Sequence, residues 1–165
     1  MTHRVLEQTL ARYGGRIGVI VLPTPLDRKC NAMLLEAEPP EPQDCALNRV
    51  AIAVWCADPE MFAPMDRWLM AADRARGEDA ARAHAAGLVG KLKLAKAEAD
   101  PRVDAILRQD VQVYALVMGG ELPQLLFGAT HITGTLLDGD ELDRAINREW
   151  DLIPEGKWPK APSRN

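Results

Sequence analysis

Three cysteines and three histidines are the residues of this 165-residue chain that could carry redox or metal chemistry. Cys30, Cys45 and Cys56 stand far apart, with no Cys-x-x-Cys, and His3, His84 and His131 form no His-x-x-x-His. Those spacings meet neither the rules for a zinc site nor those for a vicinal redox dithiol, so no metal and no cofactor is expected. The chain also lacks Gly-x-Ser-x-Gly, a Walker loop and Gly-x-Gly-x-x-Gly, and no catalytic residue is assigned. Cys30 and Cys45 flank an acidic, Pro-rich stretch over residues 36–42. They read as a redox pair, as a structural bridge, or as two unpaired thiols. A reactive thiolate wants a helix N-terminus or a nearby cation, and Cys45, near a helix start, is the better placed of the two. Cys56, beside Trp55 on an Ala-rich stretch, reads as a small buried hydrophobe. His131 reads as a strand-surface residue and His84 as part of a helical polar face.

Residues 119–150 organise the chain. The order is a Gly119-Gly120 turn, Leu122-Pro123, a short apolar strand over 124–127, a Gly128-Ala129 turn, a β-branched strand over 131–136 and a helix. Proline has no N–H for a ladder, so Pro123 belongs at a strand's beginning. Asp138-Gly139-Asp140 breaks the second strand and caps a helix with Leu142, Ala145, Ile146 and Trp150 on one face. The acidic cluster Asp138, Asp140 and Glu141 is explained by the dipole of that helix.

Upstream, Val5, Leu6, Thr9, Leu10 and Tyr13 form a helical stripe ended by Gly14-Gly15. Residues 17–22, IGVIVL, are a continuous apolar run of strand length, suited to burial on both faces. Gln43-Asp44 can cap a helix from about 45 to 57 whose Ala46, Val50, Ala53 and Val54 share a face. Asp58-Pro59 and Asp100-Pro101 each combine an N-cap with a proline at the first helical position. The helices they start carry Met61, Phe62, Met65, Trp68 and Leu69 in the first case. In the second, over 102–118, Val103, Ile106, Leu107, Val111 and Tyr114 face inward. A further helix spans 78–90.

With 47% apolar residues the chain can build one core, and it reads as one domain over 1–150 with a polar tail over 151–165. The net charge of −4 is spread over mixed signs, which offers no case for nucleic acid or an anionic membrane. The N-terminus shows no signal-peptide h-region, and no apolar run nears the ~20 residues a membrane span needs. The compartment is not legible.

The proline-led strand, glycine turn, strand and final helix resemble the second half of a thioredoxin-like domain. The helix, strand, Pro-Leu-containing loop and Ala-rich helices with Phe62 and Trp68-Leu69 are similar to its DsbA-like branch. The resemblance reaches from the first residues to about Trp150. It implies a small mixed sheet with a helical insertion over roughly 43–117, and a cis Leu122-Pro123 bond facing a redox dithiol. It further implies thiol–disulfide exchange with protein or peptide thiols and disulfides, with Leu122 and Pro123 contacting an extended peptide. Similar proteins carry cysteines at places matching Cys30 and Cys45, which points to the bridge.

The departure is the absent first strand and absent Cys-x-x-Cys. The expectation is therefore an N-terminally truncated product of a longer oxidoreductase, or a degenerate relative, inactive as written. The alternative is a non-catalytic binding or scaffold protein using the Pro123 groove. A glutathione-transferase-type enzyme would want a Glu/Gln-Ser pair that the Gly128-Ala129-Thr130 turn lacks. Without a central strand, the runs 17–22 and 124–127 would both offer unpaired edges, and the expectation is a chain that is marginal, aggregation-prone or dimerised through strand pairing.

Overall fold

Asp-Pro begins a helical turn at both places where the sequence predicts it. The Asp58 carboxylate accepts from the Glu60 N–H at 3.1 Å and starts a 3₁₀ turn, Pro59–Met61. Asp100 accepts from the Arg102 N–H at 2.9 Å and starts a 16-residue helix. Each carboxylate satisfies a donor that the helix itself leaves unpaired, and each proline occupies a position that needs no N–H.

The computed structural model describes residues 2–13, 16–32, 34, 44–71, 76–117, 122–134 and 138–151. The architecture is mixed α/β and mostly helical, with a two-stranded antiparallel sheet. It divides into two compact units, Met1–Ile20 with Gly120–Asn165, and Val21–Gly119. The Gly14-Gly15 stop, the 36–42 loop, Gln43, Gly119-Gly120, residues 135–137 and the tail beyond Asp151 lie outside the described residues.

In the first unit, α1 (Thr2–Tyr13) packs on α7 (Gly139–Asp151), and α7 lies on β1 (Gln124–Phe127), which pairs with β2 (Thr130–Thr133). Period-2 alternation decides the hairpin's faces. Leu125, Phe127 and Ile132 point at a core of Val5, Leu142 and Ile146, joined by Leu6, Tyr13 and Ile17. Arg12 and Asp143 form an ion pair at 2.6 Å across the two helices, and the Tyr13 hydroxyl donates to Asn147 Oδ1 at 3.3 Å. Gly139 admits this approach: a Cβ there would stand 2.7 Å from the Arg12 guanidinium.

The second unit is built round α2 (Asp44–Ala57), which touches α3 (Phe62–Met70), α4 (Glu78–Val89), α5 (Lys91–Glu98) and α6 (Pro101–Leu116). The sequence predicts one buried face on α2, but Val50, Ala51, Ile52, Ala53 and Val54 are all buried. Five consecutive buried residues cover every side of a helix. Small alanines let neighbouring helices approach on sides that an amphipathic helix would give to water. Met65, Ala81, Ala85, Val89, Leu94, Val103 and Leu107 complete this core.

Two elements differ from expectation. Residues 17–22 are not a strand, and the predicted burial on both faces is wrong. Ile17 is half-buried, whereas Val19, Val21 and Leu22 are exposed and Ile20 is 87% exposed. A strand exists only with a partner row of backbone groups. Here β1 and β2 pair with each other, and among the described residues no strand lies beside this run. Conversely, α5 is not announced by the sequence. Its KLKLAKAE alternates like a strand, with Leu94 and Ala97 buried and Leu92 89% exposed. Gly90, at φ +87°, separates it from α4, a backbone conformation that glycine alone adopts without strain.

Candidate functional site

Leu122 and Pro123 lead into β1 in the first unit, and both are half-buried. Their peptide bond is cis, as the resemblance implies. The Pro123 carbonyl accepts from the Gly134 N–H at 2.9 Å, closing the open end of the hairpin. Gly134 sits at φ +82°, which fits the buried corner without a side chain. The register pairs Leu125 with Ile132 and Phe127 with Thr130. With residues 123 and 134 hydrogen-bonded, antiparallel alternation turns the N–H and C=O of Leu126 away from β2, toward the outer edge. The Leu126 side chain is 51% exposed on the face away from the core, beside exposed His131 and Thr133. His131 is thus the strand-surface residue that the sequence predicts.

The other end of the hairpin is tied to α7. The Thr130 hydroxyl donates to Glu149 Oε1 at 2.6 Å, and the Ala129 N–H donates to Glu149 Oε2 at 3.3 Å. The Thr130 hydrogen bond holds the Glu149 carboxyl below the usual carboxylate range.

Cys30 and Cys45 are joined by a disulfide in the second unit, and Cys56 is free and half-buried. Burial pushes the Cys56 thiol up, in keeping with an inert packing role. Around the bridge, residues 25–31 form a tight turn. The Asp27 carbonyl accepts from the N–H groups of Cys30 at 3.1 Å and Asn31 at 2.9 Å. Asp27 Oδ1 accepts from the Lys29 N–H at 2.9 Å, and Asn31 Nδ2 donates to the Pro25 carbonyl at 2.9 Å. Asp27 and Asn31 are both buried. Sequence reading passes over these two residues. The signal available was Asp followed two residues later by a backbone donor, the Asx turn.

Trp68 stacks on His84 and lies near Arg76, so His84 is not on the polar helical face predicted for it. Asp110 on α6 is buried, with Oδ2 lacking a hydrogen-bond partner, and burial raises its carboxyl to about 6. A cavity of about 180 Å³ is lined by Ala46, Arg49, Glu78, Arg82, Glu98 and Val103. Its arginines are already committed: Arg82 to Glu78 and Glu98, Arg49 to Asp104. Among the described residues no three His, Cys, Asp or Glu side chains gather as a metal site requires. Among those residues no helix is long and apolar enough to cross a membrane.

Comparison of the chain with protein-family models, with curated proteins and with solved structures finds no match.

Proposed function

We propose that this chain is a thioredoxin-like domain of the DsbA-like kind, derived from a thiol–disulfide oxidoreductase and lacking its Cys-x-x-Cys. The property it keeps is recognition of extended protein or peptide segments at Leu122, Pro123 and the outer edge of β1. The observation that carries this reading is the order of the first unit. A proline leads an antiparallel hairpin, the hairpin's inner face rests on α7, and α7 packs on α1. An extended segment added beside β1 would meet the outward N–H and C=O of Leu126 and gain main-chain hydrogen bonds, while exposed Leu126 gives it an apolar contact. Exposed Leu126 would serve either reading; the lack of a Cys-x-x-Cys in the sequence is what favours non-catalytic binding over retained oxidoreductase turnover.

The test is titration of the chain with a reduced, alkylated unfolded protein, followed by backbone amide shifts. Perturbations at residues 122–127 that Leu126→Lys weakens severalfold are expected. Insulin reduction should run no faster than with a Cys30→Ala/Cys45→Ala variant. Binding that ignores Leu126→Lys and maps elsewhere defeats the proposal. Shifts at 124–127 that grow with protein concentration, with no ligand present, would instead assign that edge to a strand-paired dimer.

A further inference from the structure

The Cys30–Cys45 bridge is built differently from a buried staple. Both cysteines are half-buried rather than enclosed. Cys45 is the second residue of α2, a helix of 14 residues, so its sulfur belongs to the turn where backbone N–H groups lack intrahelical partners. A thiolate is favoured at that end of a helix. Cys30 follows Arg28 and Lys29, both exposed, whose cations draw an approaching anion.

The turn that presents Cys30 is held by hydrogen bonds of its own besides the bridge. Residues 25–31 are held by the Asp27 carbonyl, the Asp27 carboxylate and the Asn31 carboxamide, as described above. The same Asp27 carbonyl oxygen lies 3.6 Å from Cys30 Sγ and 3.8 Å from Cys45 Sγ. In the bridged state neither sulfur carries a proton, so these are contacts and not hydrogen bonds. On reduction the two sulfurs must part, and the Asp27 carbonyl, already accepting from the N–H groups of Cys30 and Asn31, holds the turn in place beside them.

We infer that Cys30–Cys45 is a reversible thiol-exchange site for low-molecular-weight thiols, attacked at Cys30 with Cys45 as the leaving sulfur. A thiolate of an added dithiol attacks Cys30 Sγ; the Cys30–Cys45 bond breaks as the mixed disulfide forms, and Cys45 leaves as a thiolate. The second thiol of the reagent then displaces Cys30 and closes the reagent's own disulfide. Two electrons pass to the protein, the dithiol is oxidised, and its two protons end on Cys30 and Cys45. The inference needs only the 25–31 turn and the start of α2. It stands apart from the fold-family reading and implies no turnover on protein disulfides.

The experiment uses the full, folded chain in dithiothreitol, quenched by alkylation at successive times and mapped by mass. The native bridge should open within about a hundredfold of the rate in denaturant, whereas a bridge reached only through global unfolding is slowed roughly 10³-fold or more. Helical circular dichroism should survive reduction, and air or oxidised dithiothreitol should restore the bridge. With excess glutathione and an early quench, the trapped mixed disulfide should sit on Cys30. A native rate slower than that limit, loss of helix on reduction, or glutathione on Cys45 overturns the inference.

Discussion

The Trp68 indole and the His84 imidazole lie face to face, with ring centroids 4.3 Å apart and planes 7° from parallel. This contact joins α3 to α4, and Arg76 Cζ stands 3.9 Å from the centroid of the same indole. Burial first, and the Arg76 charge second, lower the His84 pKa from its ordinary 6.5. The neutral imidazole is therefore the form the fold favours. Its contribution is complete above the ordinary histidine range and is lost as pH falls through the lowered value. Replacing His84 with Phe should keep the stack and flatten the acid side of the stability profile, measured by urea unfolding between about pH 7 and 5. Trp68→Ala should cost about 2–4 kcal/mol, combining lost burial with the lost stack.

Asp110 works in the opposite direction. The residue is 5% exposed, and burial raises its carboxyl pKa from 3.8 to about 6, so the folded state holds the proton more tightly than the unfolded chain. Stability from this residue is complete below pH 3.8 and is lost as pH rises through about 6. Asp110→Asn keeps the shape and removes the buried charge. It should stabilise the protein at pH 7.5 by roughly 1–3 kcal/mol and have little effect at pH 4, by denaturant titration at both values.

A side chain at Gly128 should cost the hairpin turn stability. That glycine sits at φ +49°, and a Cβ there would collide with the Glu149 carboxylate that holds Thr130 and Ala129. Gly128→Ala should destabilise by about 1–2 kcal/mol from backbone strain alone. Combining it with Glu149→Ala should relieve the steric part but not the strain. A double-mutant cycle in thermal unfolding separates the two.

Leu142 is the fully buried centre of the first unit, in contact with the core that α1, β1 and β2 share. Leu142→Ala should cost about 2–5 kcal/mol, and Leu142→Met less than about 1.5. Amide hydrogen exchange should report the loss in α1, α7 and the hairpin. An alanine variant with unchanged exchange in α1 would show that this core does not couple the two helices.

How much of this was legible in the sequence follows from how far each feature reaches along the chain. Asp58-Pro59 and Asp100-Pro101 complete their caps within two residues, so types and order were enough to place those starts. The stripe Val5, Leu6, Thr9 and Tyr13, and the turn at Gly128-Ala129 between two short strands, are equally local; period and turn chemistry determined them. Residues 17–22 show the limit. Their composition suits a buried strand, but a strand needs a second row of backbone groups, and no local pattern can supply one; in the tertiary structure the run joins no sheet and residues 18–22 are exposed. The same holds for side-chain partners. Sequence offered three readings of Cys30 and Cys45, and only the fold that brings the 25–31 turn to the start of α2 selects the bridge. The burial of Asp110, the seat of His84 on Trp68 and the all-round burial of residues 50–54 on α2 are decided by which helices meet. Those contacts join residues far apart in the chain, and no window of sequence contains both halves.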